Sequence, residues 1–247
     1  MSAGPLLRRR AETLRERMDE PDCDPTTLDR TYRQFAVLNQ LLSGWHGAWT
    51  RRLRPAARAA AARHGAAELL DVGCGGGDLA RRLAAWAARD GVPLRIVAID
   101  PDPRALAFAR RRAVPPSVTF VGDDALDLAG RGAHFDIVVS NHVLHHLDER
   151  QLAAFLRASD RLARTTVLHA DLRRTPLALP AFALFSLPFR GSYIREDGFR
   201  SIRRSYVPAE LRPHLPPGFE ALPVGRFRQW IVRDAPRPGR DERGSAG

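Results

Sequence analysis

Two groups of residues in this 247-residue chain carry side chains and spacings suited to chemistry. The first is Asp71-Val72-Gly73-Cys74-Gly75-Gly76-Gly77-Asp78, followed at a distance by Asp100-Pro101. The second is Asn141-His142-Val143-Leu144-His145-His146-Leu147. Glycines let a backbone turn sharply and approach a ligand closely, and carboxylates beside them suit a ligand carrying hydroxyls or positive charge. Imidazole, with an ordinary pKa of about 6.5, suits proton transfer near neutral pH. His142 and His146 stand one helical turn apart, yet no carboxylate or cysteine completes a ligand set locally, so no metal is expected. The expected role of His145 or His146 is that of a general base toward an attacking hydroxyl.

Such residues need a frame of strands and helices. Leu69, Leu70 and Val72 form a short apolar run suited to a central strand, and Asp78 stands where a helix cap belongs, with Leu79 and Leu83 opening an apolar face. Further strands are expected at 94–99, 118–121, 135–140 and 165–170, the last ending at Asp171. Asp102-Pro103 and Asp148 read as helix starts. Two closing strands near 219–224 and 227–232 should pair as the antiparallel end of the sheet. Alternating strands and helices of this kind predict an α/β fold, a doubly wound, Rossmann-like sheet with ligands at the strand ends.

The glycine spacing narrows the ligand. A dinucleotide fingerprint wants glycine at positions one, three and six, whereas the sixth position here is Asp78. A carboxylate there would face a pyrophosphate at the helix N-terminus, so nicotinamide and flavin cofactors are disfavoured. The stretch instead resembles the first motif of the class I S-adenosylmethionine-dependent methyltransferases, acidic-x-Gly-x-Gly-x-Gly, at Asp71, Gly73, Cys74, Gly75 and Gly77. That resemblance implies a seven-stranded sheet with an antiparallel last strand, spanning roughly residues 65 to 232. It implies that Asp100, with Pro101, accepts hydrogen bonds from the ribose hydroxyls. It also implies that Asp124, or failing it Asp123, reads the adenine amino group just before the small residue Ala125. Asn141 and His142 would then lie beside the methionine part of S-adenosyl-L-methionine.

Composition sets further bounds. The formal net charge is +11, and all 39 basic residues other than histidine are arginine. The arginines are spread along the chain with few aromatics between them, so solvated helix faces explain them better than a nucleic-acid footprint. Only Cys23 and Cys74 are present, and the first ten residues lack a signal-peptide core. A cytoplasmic, reducing location is expected. A polar helix is expected from Leu6 to about Met18, then helices carrying Leu28, Tyr32, Phe35 and Leu38 and running from about Trp45 to His64. Residues 1–64 thus form a helical extension, 65–233 the main domain and 234–247 a disordered tail. The resemblance makes the extension a lid over the substrate, lined by one or two of its aromatics. The apolar run Thr175 to Phe189, broken by three prolines, is too short to span a bilayer. It fits core packing, or a cap over the acceptor that can meet a membrane surface. The expected function is transfer of a methyl group to a small hydrophobic acceptor, with the oxygen of a phenol or quinol favoured. The alternatives are methylation of RNA or protein, or cofactor binding without catalysis.

Overall fold

The computed structural model describes residues 7–42 and 44–234. Seven strands, β1 (Ala67–Val72), β2 (Leu94–Ile99), β3 (Val118–Val121), β4 (Phe135–Asn141), β5 (Ala163–Leu172), β6 (Glu220–Val224) and β7 (Arg228–Asp234), form one sheet. Their order is β3-β2-β1-β4-β5-β7-β6. The first five run parallel, and β7 enters antiparallel between β5 and β6. The expected α/β architecture and antiparallel end are both present.

The alternation of the strands feeds two cores. Leu69, Ile96, Ile137 and Leu168 point to one face, where they meet Trp45, Trp49 and Leu53. Leu70, Val138, Val167 and Ile231 point to the other, against Leu152, Leu156 and Tyr206. The helices are α1 (Pro25–Leu42), α2 (Trp45–Ala48), α3 (Arg54–His64), α4 (Asp78–Arg89), α5 (Pro103–Arg111), α6 (Ala125–Gly130), α7 (Glu149–Leu162), α8 (Ala178–Phe185), α9 (Ile194–Arg204) and α10 (Pro208–Leu211). A π-helical segment, Trp49–Leu53, joins α2 to α3. Asp148 caps α7 with a reciprocal bond from Gln151, and Asp102 caps α5 ahead of Pro103, as their residue types predict. Trp45 and Trp49 serve packing, and the indole of Trp49 also donates to Asp90 at 2.8 Å. The helices of residues 45–64 therefore share the sheet's own core, whereas Leu28 and Tyr32 of α1 pack with Ala105 and Phe108 of α5.

Three expectations fail locally. Residues 8–16 are not helical: their polar side chains are drawn into tertiary bonds instead of a solvated helix face. Gly77, at φ 71°, is the residue that caps α4, so Asp78 is already the first helical residue. β5 continues two residues further than predicted, placing Asp171 inside the strand. The expected tail lies, from residue 235 onward, outside the described residues. Among the described residues no helix is long and apolar enough to cross a membrane.

Candidate active site

A cavity of about 790 Å³ opens at the carboxyl ends of β1, β2, β4 and β5, where a doubly wound sheet places its ligands. Its floor is the turn from Gly73 to Gly76, its far wall the histidine run, and its roof α1 and α8. The turn depends on glycine. A Cβ on Gly73, at φ 67°, would stand 2.6 Å from Val143, and one on Gly77 would stand 2.5 Å from the ring of Phe120. Gly77→Ala should therefore cost about 1–3 kcal/mol through strain and overpacking. Chemical unfolding checks this, and a loss below about 0.5 kcal/mol would show that the turn absorbs a side chain.

The acidic end of the cavity is built by β1 and β2. Asp100 Oδ2 accepts from the amide of Gly75 at 2.8 Å and Oδ1 from that of Asp102 at 2.9 Å, so one carboxylate braces both turns. Asp71 is 1% exposed, and its Oδ2 has no hydrogen-bond partner among the described residues. Burial first, then the charges of Asp78 and Asp100, push its carboxyl well above the ordinary range. Asp78 meets Asn39 at 3.3 Å and Arg82 at 3.7 Å. Three carboxylates crowding one pocket, one with an orphaned oxygen, fit a ligand bearing hydroxyls and positive charge. The ribose, ammonium and sulfonium of S-adenosylmethionine match that donor set.

The structure brings Asp71, Gly73, Cys74, Gly75, Asp100, Pro101, Asn141, His142, His145 and His146 to this one cavity. It does not bring Asp123, Asp124 or Ala125 there: Asp124 caps α6 by accepting from Leu126, and Asp123 pairs with Arg131. Gly77 lies just behind the turn, beneath Phe120. Cys74 is buried, and burial raises its thiol further, so it is no nucleophile.

The histidine wall differs from expectation. His145 is 2% exposed, with Nδ1 2.7 Å from Asp171 Oδ1 and Nε2 3.1 Å from Glu16 Oε1. Burial disfavours its charged form, but the two carboxylates prevail and push its pKa up to about 10. Glu16, for its part, is lowered to about 2 against its own burial, by the charges of His146 and His145. His145 is thus an imidazolium at neutral pH and has no lone pair to offer as a base. His146 has a side chain 31% exposed, with Nδ1 3.1 Å from Asp19 and Nε2 3.8 Å from Glu16. His142 sits at φ 62°, and burial lowers its pKa to about 3, so it is neutral.

Two groups, Glu16/His145/His146 and His142/His145/Asp171, have ligand atoms close enough to share an ion. Both contain His145, whose imidazolium stands between Glu16 and Asp171. Carbonyl groups of this loop are also fastened. Arg204 donates to His145 O at 3.0 Å and His146 O at 2.9 Å, and Arg10 and Tyr206 donate to Leu147 O at 2.6 and 2.9 Å. Glu16, Arg10, Arg204 and Arg228, which sequence reasoning missed, carry no local signal: each reaches the loop across more than fifty residues.

The roof is apolar. Tyr32 and Phe35 from α1 and Ala178, Ala181, Phe182 and Phe185 from α8 line the cavity. On and beside α8, Leu177, Leu184 and Leu187 face outward, Leu184 at 72% exposure. The run Thr175 to Phe189 is therefore a cap with an apolar outer side.

Comparison with known proteins adds to this geometry. Residues 69–166 match the family described as "Methyltransferase domain". The ubiquinone biosynthesis O-methyltransferase of Methylocella silvestris is 35% identical over 147 residues, 58% of this chain and 54% of that protein. The 27-O-demethylrifamycin SV methyltransferase of Amycolatopsis mediterranei is 29% identical over 220 residues, 76% of this chain and 79% of that protein. The chain covers 54% and 40% of the first curated relatives it matches, about half of their length. Among solved structures, the magnesium protoporphyrin IX methyltransferase of Synechocystis PCC 6803 with bound SAH aligns with a TM-score of 0.54 at 17% identity. That alignment covers 89% of this chain and 92% of the other, a likeness of fold.

Proposed function

Because this chain carries a methyltransferase domain of the class I, S-adenosylmethionine-dependent kind, we propose that it methylates an oxygen of a small, apolar acceptor, with an aromatic hydroxyl favoured. The observation that carries this reading is the single cavity that joins the carboxylates of β1 and β2 to the aromatic roof of α1 and α8. When bound, S-adenosylmethionine supplies an electrophilic methyl: an oxygen–carbon bond forms, the carbon–sulfur bond breaks, and its electron pair stays on sulfur. Asp100 would hold its ribose hydroxyls, while Asp71 and Asp78 would face its positive groups. Tyr32, Phe35, Phe182 and Phe185 hold the acceptor and keep water out, and alignment of two bound reactants is worth effective molarities of about 10⁵–10⁸ M. His146 takes the hydroxyl's proton, while His145 orients the loop from between its two carboxylates. The outward leucines of α8 suit contact with an apolar surface from which such an acceptor would enter.

Methyl transfer from labelled S-adenosylmethionine to a panel of phenols and quinols tests this reading. Transfer to a phenolic oxygen supports it; cofactor binding with no transfer to any of the panel overturns the acceptor class. His146→Ala should then lower kcat by about 10²–10⁴-fold with the affinity for S-adenosylhomocysteine unchanged. An unaltered kcat would remove the base from the mechanism.

A further inference from the structure

Arg228 opens β7 and pairs across the ladder with Leu172 of β5. It is 8% exposed and forms part of the cavity wall. One terminal nitrogen donates to Asn141 Oδ1 at 2.9 Å, another reaches His142 Nε2 at 3.4 Å, and Nε has no partner among the described residues. Both of these partners are neutral. Burial lowers the guanidinium's pKa to about 10, with the charge of Asp171 opposing, but Asp171 is spent on His145 and the amide of Leu172. Among the described residues this buried cation has no ion pair. Burying an unpaired charge is costly, so a cation left in this state on a cavity wall marks the place of an incoming anion.

Its place in the sheet says which anion. In the order β1-β4-β5-β7 the arginine stands three strands from the glycine turn, about 14 Å at the usual strand spacing. The acidic end, suited to a cationic ligand, lies at β1 and β2; the basic end lies beyond the histidine loop, where Arg173 and Arg226 also line the wall. Phe227, next to Arg228, packs in one cluster with Ala178 and Phe182 of the apolar cap. A cation beside an apolar surface matches an aromatic molecule with a negatively charged oxygen.

We infer that Arg228, oriented by Asn141, anchors an anionic oxygen of the acceptor, either a carboxylate or an ionised hydroxyl. This deepens the proposed function and rests on its division of the cavity into cofactor and acceptor ends. Calorimetric titration of the protein saturated with S-adenosylhomocysteine tests it, using two pairs of probes: 4-methoxybenzoate against 4-methoxybenzamide, and 4-nitrophenolate against 4-nitroanisole. At least one anion should bind about tenfold or more tightly than its neutral counterpart. Preference in the first pair alone assigns the anchor to a carboxylate, and preference in the second assigns it to the hydroxyl oxygen. Arg228→Gln should abolish the preference and Arg228→Lys should restore part of it, which separates lost charge from lost folding. Equal binding within both pairs, or no binding of either anion, would overturn the anchor. So would a loss of S-adenosylhomocysteine affinity in Arg228→Gln as large as the loss for the anion, since the guanidinium would then hold the cofactor's carboxylate. Repeating the titrations without S-adenosylhomocysteine keeps the anchor readable even if the cofactor assignment fails.

Discussion

Asp100→Ala should weaken the binding of S-adenosylmethionine and S-adenosylhomocysteine by about 10²-fold or more. The carboxylate ends β2, braces Gly75 and Asp102 through their amides, and is 8% exposed. Burial raises its pKa, against the bonds from Asp102 and Gly75 that lower it, so its charged form gains from further donors. Two ribose hydroxyls would supply them, and hydrogen bonds to a charged group contribute about 1.5–3 kcal/mol each. The amides already present reduce that gain, leaving about 3 kcal/mol, or a little over two decades in Kd. Asp100→Asn, which keeps an acceptor without charge, should fall between. Isothermal titration measures both; a change below about threefold for alanine would move the ribose away from β2.

The second large effect concerns stability. His145→Ala leaves Glu16 and Asp171 buried with no cation between them, and breaking a buried pair in this way costs about 3–5 kcal/mol. The effect has a pH signature. His145 is raised from 6.5 to about 10, so its contribution is complete below pH 6.5 and fades as pH climbs through 10. Glu16 is lowered from 4.5 to about 2, so its contribution is complete above pH 4.5 and fades as pH falls through 2. The gap between wild type and variant should therefore be widest between pH 4.5 and 6.5 and shrink toward pH 10. Urea unfolding at pH 5.5 and pH 9.5 measures it. A gap that is the same at both values would mean that the imidazole is neutral and serves packing alone.

These two residues also show what could be read from the chain. The place of Asp100 was legible because β2 is apolar but for Arg95 and lies at a set distance from the glycines. The parallel sheet, the caps at Asp102 and Asp148 and the antiparallel close were legible for the same reason: each rests on a pattern within a dozen residues. The proton on His145 was not. Its carboxylate partners come from residues 16 and 171, and only the fold joins them. The arginines that matter, Arg10, Arg204 and Arg228, were hidden among 39 of their kind. Residues 8–16 look like a surface helix because their polar side chains are common on one, whereas here Glu16 is buried and accepts from Ser201 at 2.6 Å. Asp123 and Asp124 stand at the expected strand end, where turn and helix-cap bonds occupy their carboxylates and the cavity lining does not include them.

The clamp on the histidine loop bears on the order in which the molecule assembles. Arg10 is bonded to the carbonyl of Arg204, 194 residues away, and Met18 to the carboxylate of Asp197, 179 residues away. Contacts of such separation close the longest loops the chain can form, and they come late in folding. During synthesis the segment that contains Arg10 and Glu16 emerges long before its partners on α9. The sheet can be paired through β5 while this segment has nothing to bind. Completion of the histidine wall thus waits until α9 has been made, and a chain interrupted before residue 204 would carry the glycine turn without the clamp that sets His145 in place.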